Sequence, residues 1–194
     1  VGKQLLILDP GAEVYTARTF SKQRYQSNLL NSFGHPVPVA QGQLQQAGPQ
    51  AQAKLVAKQF TDAADTFAMD ISSAYAAPDL KKLVRTFVYD RRGQGSLTVS
   101  DEFAFDSPQS FGNALITHGA WRKDGDHAIV ISQGGEAVKV TIDTQGVPFE
   151  IVAQTVDEQP LTGSKPTRIG INLSQPAASG RILLTILPIV ATAN

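Results

Sequence analysis

Cysteine is missing from all 194 residues, which excludes disulfides, Cys-ligated zinc and thiol catalysis but leaves the compartment open, since exported proteins also do without it. Net charge is missing as well, because 17 Lys and Arg are balanced by 17 Asp and Glu. Nucleic-acid and anionic-membrane binders normally carry a net basic face, so neither partner is expected, and any attraction for a polyanion has to be local. Long apolar runs are scarce. ILLTILPIV (182–190) is about half the length that spans a bilayer and contains Pro188, so it reads as a buried final strand and no membrane span is expected. No basic, apolar leader of the signal-peptide kind opens the sequence. A hydrophobic run already under way by Leu5 leads us to expect that these residues are the C-terminal part of a longer parent.

Short segments rich in β-branched and aromatic residues recur between Gly, Pro, Asn and Asp. LLILD, VPVAQ, KLVAKQF, TFAMDIS, RTFVYD, SLTVSDEFAF, NALITHG, HAIVIS, AVKVTID, FEIVAQTV, RIGINLS and RILLTILPIV make about a dozen strand candidates at sandwich spacing. Alternation is cleanest at Val138/Val140/Ile142 and Ile169/Ile171/Leu173, as in a sheet with one wet face. DRRGQGS (90–96) has the look of a hairpin turn, with Gly93 and Gly95 supplying positive φ. Residues 50–85 are Ala-rich, yet their apolar positions hold no helical stripe, and Thr61, Asp62 and Asp65 suggest a turn, so two strands and a hairpin are expected. Pro78 followed by Asp79 offers one short helical turn. The stretch 157–168 is the most loop-like. The expected architecture is a single all-β domain over 1–194, a two-sheet antiparallel β-sandwich with at most one helical turn.

Chemistry-bearing residues are few. Asp9 ends an apolar run before Pro10 and Gly11, and one of three histidines, His35, sits between Gly34 and Pro36 in NSFGHPVPV. A carboxylate and an imidazole on neighbouring β-elements are two of the ligands zinc takes, although each also has a plain structural reading as a turn former or a strand start. Arg18, Lys22 and Arg24 fall between Tyr15 and Tyr25, where guanidinium groups suit bidentate contact with an acidic sugar and where a solvated loop is the alternative. His118 and His127 lack acidic or histidine partners at ligand spacing and read as structural or surface residues. Trp121 alone is too little for a sugar-stacking platform. Asp101 and Glu102 are excluded as paired acids, because neighbours on a strand point to opposite faces. The glycines of GNALITHG and SQGGEAV lack the strand-to-helix context of a phosphate loop.

The run LLILDPGAEVYTARTFSKQRYQSNLLNSFGHPVPVAQGQLQQAG resembles the start of the β-sandwich domain of heparinase II/III-like polysaccharide lyases: a strand ending in Asp-Pro-Gly, a Tyr-Thr pair, an Arg-Tyr segment, and Asn-Ser-x-Gly-His before a strand and a Gly turn. Later, SAYAAPDLKKLVRTFVYDRRGQGSLTVSDEF is similar to that domain's Tyr, Arg and Asp-Glu positions. The resemblance covers most of the chain and rests on the order of these motifs. It implies that an α/α-toroid domain stands beside the sandwich, with acidic polysaccharide in the cleft between them and a periplasmic or extracellular location. It implies β-elimination at a uronate, with Tyr15 and Tyr25 as catalytic candidates on the sandwich side and Arg18, Lys22 and Arg24 as substrate-binding candidates. It further implies that Asp9 and His35 match two of three protein ligands of a structural zinc ion, the third being an upstream His with no counterpart in residues 1–8. On these grounds the chain alone is expected to be catalytically incomplete. The alternative is a non-catalytic extracellular module that binds carbohydrate or assembles with other proteins, which an exposed, unpaired edge strand favours.

Overall fold

The computed structural model describes residues 1–190; residues 191–194 lie outside it. Twelve strands form among the described residues: β1 (Val39–Ala40), β2 (Lys54–Phe60), β3 (Ala64–Asp70), β4 (Leu80–Asp90), β5 (Ser96–Gln109), β6 (Phe111–Thr117), β7 (Ala120–Lys123), β8 (Ala128–Gln133), β9 (Glu136–Asp143), β10 (Phe149–Thr155), β11 (Thr167–Leu173) and β12 (Ala177–Val190). They build a large sheet in the order β2-β3-β4-β5-β12-β9-β8-β7 and a small one in the order β1-β6-β11-β10, and every pairing is antiparallel. The expected all-β two-sheet class is what forms.

The core lies between the sheets. Leu83, Phe103, Ile129, Val140, Ile182 and Leu184 from the large sheet meet Leu115, Ile169 and Ile171 from the small one, all at most 3% exposed. Each fully buried side chain of this kind contributes on the order of 1.5–3 kcal/mol. The alternation read in the sequence points inward as expected, with Val140 and Ile142 buried and Thr141 exposed between them. Pro188 is tolerated in β12 because β5 has already ended: the last β12–β5 pair is Ile186↔Leu97, so Pro188 faces only Val138 of β9. Eight strands overhang four, and the edge strand β2 is exposed at all seven positions.

Three sequence expectations change. LLILD forms no strand; Leu6 is buried, but a single backbone bond, Leu8 N to Ile116 O at 3.0 Å, ties the segment to β6 before Pro10 ends it. VPVAQ contributes only Val39–Ala40. No helical turn starts at Pro78, because Leu80 is already paired with Phe105 of β5 and the Asp79 carboxylate accepts from Ser107 Oγ and Gln109 Nε2. Three single 3₁₀ turns occur instead, at Arg24–Gln26, Ser32–Gly34 and Ser72–Ala74. The 61–64 hairpin turn and the positive φ of Gly93 and Gly95 (61° and 79°) are as expected, whereas β7, around Trp121, was not expected as a strand.

Candidate functional site

Residues 5–35 run as coil and short 3₁₀ turns from the edge of β6, where Leu8 N bonds Ile116 O, past the β10–β11 connection, where Val14 N bonds Gln159 O, to Arg168 on the outer face of β11, which donates to Phe33 O, and they carry most of the candidate residues. Two local devices shape it. At Asp9-Pro10-Gly11 the Asp9 Oδ1 accepts from Gly11 N at 3.1 Å, closing an Asx turn. At residues 31–35 the Asn31 Oδ1 accepts from Phe33 N at 2.9 Å and starts the 3₁₀ turn that ends at His35. Gly34 is required there by close approach and not by φ, since a Cβ would stand 2.2 Å from Asn28 O.

The two devices bring Asp9 and His35 together. His35 Nδ1 lies 2.7 Å from Asp9 Oδ2, and Nε2 lies 3.0 Å from Leu29 O. Leu29 O only accepts, so Nε2 donates to it, and the short Nδ1–Asp9 contact therefore needs a proton between them. A cleft of about 310 Å³ opens beside this pair, lined by Asp9, Tyr25, Asn31, Ser32, His35 and Gln45 among others. Tyr25 is half exposed, and the Arg24 guanidinium stands 5.8 Å from its ring centroid. Asp9 and His35, expected together as zinc ligands, and Tyr25, expected as a catalytic candidate, thus share one cavity.

The other candidates separate from them. Tyr15 is exposed, packs edge-on against Phe20 at 5.4 Å and does not line the cleft. Arg18 bonds Glu13 at 2.7 Å and Glu158 at 2.8 Å, so its charge is neutralised within the protein. These carboxylates hold the Arg18 guanidinium well above its usual range, Glu158 most strongly. Lys22 and Arg24 are exposed and have no carboxylate partner among the described residues. His127 packs 5.5 Å from the Phe149 ring, and the buried His118 Nδ1 has no partner; neither lines the cleft. Asp101 is fully buried and Glu102 exposed, on opposite faces of β5.

Beneath the His35 segment lies a scaffold that sequence reasoning noted only as motif positions. Arg85 Nε and Nη2 bond both oxygens of Asp101 at 2.7 and 2.9 Å, Nη2 reaches Asn113 Oδ1 at 3.1 Å, and Nη1 donates to Pro36 O at 2.7 Å. Burial pulls the Arg85 pKa down, but the Asp101 carboxylate outweighs it, and the guanidinium titrates above its ordinary value. Tyr75 donates its hydroxyl to Pro38 O at 2.8 Å and receives Gln45 Nε2 at 3.3 Å; burial pushes its phenol up. Buried side chains on the β4–β5 sheet and in the 72–75 turn therefore hold the backbone on either side of Val37. Asn31, Ser32 and Gln45 were not singled out: Ser32 Oγ accepts from Gln45 N at 2.8 Å, a contact with no signature in sequence spacing.

The zinc implied by the resemblance needs more donors than this. A structural site takes four ligands, and among the described residues no third His, Asp or Glu joins Asp9 and His35. The two do not fit the ion by themselves; they form a direct, proton-bridged contact.

Fold and cleft together define a large-sheet, small-sheet β-sandwich whose candidate site is carried mainly by the coil of residues 9–35. That fold is one domain of heparinase III-type polysaccharide lyases. Superposition on a crystal structure of heparinase III covers 96% of this chain and 28% of that one, with a TM-score of 0.73 and 15% identity. A second heparinase III gives 0.74 at 14% identity over 97% and 29%, and heparan sulfate lyase HepC from Pedobacter heparinus gives 0.73 at 10% identity over 96% and 29%. The chain therefore spans under a third of the length of the proteins it resembles. No family model matches the sequence, and a comparison with curated proteins finds no match. Among the described residues no helix is long and apolar enough to cross a membrane.

Proposed function

We propose that this chain is the β-sandwich domain of a lyase that cleaves uronate-containing acidic polysaccharide by β-elimination, supplying one wall of a cleft that an α/α-toroid domain completes. The observation that carries the proposal is the convergence of Tyr25, His35 and Asp9 on one cavity, on a fold shared with heparinase III. In β-elimination a base takes the proton at C5 of the uronate, the electron pair forms the C4–C5 double bond, and the glycosidic oxygen at C4 leaves with a proton from an acid. Tyr25 reaches the cleft with a free hydroxyl for one of these transfers, and the proton between His35 Nδ1 and Asp9 is placed to supply the other. Arg24, beside the Tyr25 ring, and Lys22, two residues before it, are exposed and unpaired and would neutralise substrate carboxylate. Arg18 is better read as a clamp within the protein, and Tyr15 as a surface residue. Zinc enters no step. Such a substrate places the protein in the periplasm or outside the cell.

The test follows ultraviolet absorbance of unsaturated uronate from heparan sulfate, chondroitin sulfate and alginate, using the longest natural chain that contains these residues. Tyr25→Phe and His35→Ala should each lower kcat by 100-fold or more with the fold intact, general acid–base groups being worth about 10²–10⁴. Product formation unaffected by both substitutions would sink the assignment. The exposed edge strand β2, with Leu55, Val56 and Phe60 each more than half exposed, favours the second reading, an assembly module. Concentration-dependent association that Val56→Lys abolishes, without lyase activity in the longest chain, would establish it.

A further inference from the structure

Arg168 is a buried cation without a counter-charge. It is 7% exposed, donates Nε to Phe33 O at 3.1 Å and lies 4.8 Å from the Phe33 ring centroid. Its terminal nitrogens make no hydrogen bond to the described residues. Glu13, Arg85 and Asp101, the other buried charged side chains described, each have an opposite charge at 2.7 Å. A guanidinium largely withdrawn from water without such a partner is unfavourable, and its burial pulls its pKa down; its terminal nitrogens, unbonded within the protein, still reach solvent. Ring contact and one carbonyl offset only part of that.

Arg168, Gly170 and Asn172 share the outer face of β11. A methyl group built on Gly170 would come within 2.7 Å of Arg168 Nη1 and 3.4 Å of both Asn172 Nδ2 and Val152 O, so two side-chain donors and one backbone carbonyl border a seat over the bare backbone of Gly170. Asn172 Oδ1 is turned the other way, over Gly112. The cross-strand neighbours on β10 are Gln154, Val152 and Glu150, all exposed, which leaves the seat open on that side. Glu150, the acid of this row, lies opposite Asn172 at the end remote from Arg168 and makes no ion pair with it. None of the seat residues lines the Asp9–His35 cleft.

We propose that this seat binds an oxyanion, a carboxylate or a sulfate ester, between Arg168 and Asn172 above Gly170. A guanidinium edge and an amide N–H present donors in the forked geometry that such groups accept, and the absent side chain at 170 lets the oxygens approach the sheet. The site is independent of the proposed lyase chemistry. On an acidic polysaccharide it is a second point of attachment, reached across Phe33 from the turn that carries His35.

The experiment is an NMR titration of the chain, observing Arg168 Nε–Hε and the Asn172 side-chain amide while sodium sulfate or sodium glucuronate is added, with sodium chloride at matched ionic strength as control. Saturable shifts with sulfate, glucuronate or both, absent with chloride, are expected, and whichever anion saturates identifies the group the seat prefers. Gly170→Ala fills the seat while keeping the charge and should weaken binding at least tenfold with unchanged His35 signals; Asn172→Ala should weaken it severalfold and decides the matter should the alanine at 170 unfold the chain. Shifts that are linear, matched by chloride or unaltered in these variants would overturn the proposal. His35→Ala leaves the titration unchanged, so this site and the lyase reading fail separately.

Discussion

Gly34→Ala is the most direct probe of how the candidate site is held. The added methyl carbon would stand 2.2 Å from Asn28 O and 3.2 Å from Leu29 Cα. Both are backbone atoms, so no side chain can swing aside, and relief to ordinary contact takes a displacement of roughly 1 Å. That displacement acts on the segment that offers Leu29 O to His35 Nε2 at 3.0 Å. Moved by as much, the contact exceeds hydrogen-bonding distance. Overpacking of this kind costs about 1–3 kcal/mol and the lost hydrogen bond about 1 kcal/mol more, so a destabilisation of about 2–4 kcal/mol is expected. Urea unfolding measures it as a lower midpoint with the slope m unchanged. Long-range ¹H–¹⁵N NMR of the imidazole should show Nε2 losing its fixed proton. A destabilisation below about 0.5 kcal/mol with the His35 spectrum unaltered would refute the reasoning, because the turn would then tolerate a side chain that the geometry forbids.

Arg85→Met leaves the fully buried Asp101 carboxylate without its cation and releases Pro36 O, and should destabilise by about 3–5 kcal/mol; Arg85→Met with Asp101→Leu should recover much of that loss in the same urea assay. Burial pushes the Glu13 carboxyl up, but the hydroxyls of Ser27 and Thr19 and the Arg18 guanidinium outweigh it and hold it below the ordinary glutamate value of 4.5. Its contribution is therefore fully present above that pH and lost as the pH falls through the lowered folded value; Glu13→Gln should flatten the acid limb of a stability-against-pH profile, and an identical limb in both proteins would remove Glu13 from the account. With only Asp9 and His35 as donors, the 194-residue chain should keep no stoichiometric zinc through dialysis, and a chelator should leave Tm unchanged; elemental analysis showing one tightly held ion per chain would contradict this.

Strand content was legible because burial on one face writes itself as alternation: Val138/Val140/Ile142 and Ile169/Ile171 predicted their own inward faces. Hairpin turns were legible for an equally local reason, the glycines at 93 and 95. LLILD misled because Leu6 reaches the core from coil without a partner strand, while Leu5 stays exposed. Pro78 misled because pairing of Leu80 with β5 outweighs a local helix signal. In the site, Asp9 and His35 were expected as zinc ligands from a resemblance, and the structure has them in direct contact at 2.7 Å. Gly34, next to His35, is held to glycine by close approach to Asn28, which spacing alone does not disclose.

Arg18 shows where sequence stops. Its neighbours Lys22 and Arg24 suggested a basic patch, yet Glu158, 140 positions away, claims its charge. By itself the sequence determined the alternating strands and the turns, since these depend on neighbours within a few residues. Only the tertiary structure decided which charges are spoken for, that Arg85 carries the backbone of Pro36, and that Phe33 but no carboxylate meets Arg168. Those relations join residues far apart in the chain, and no local spacing encodes them.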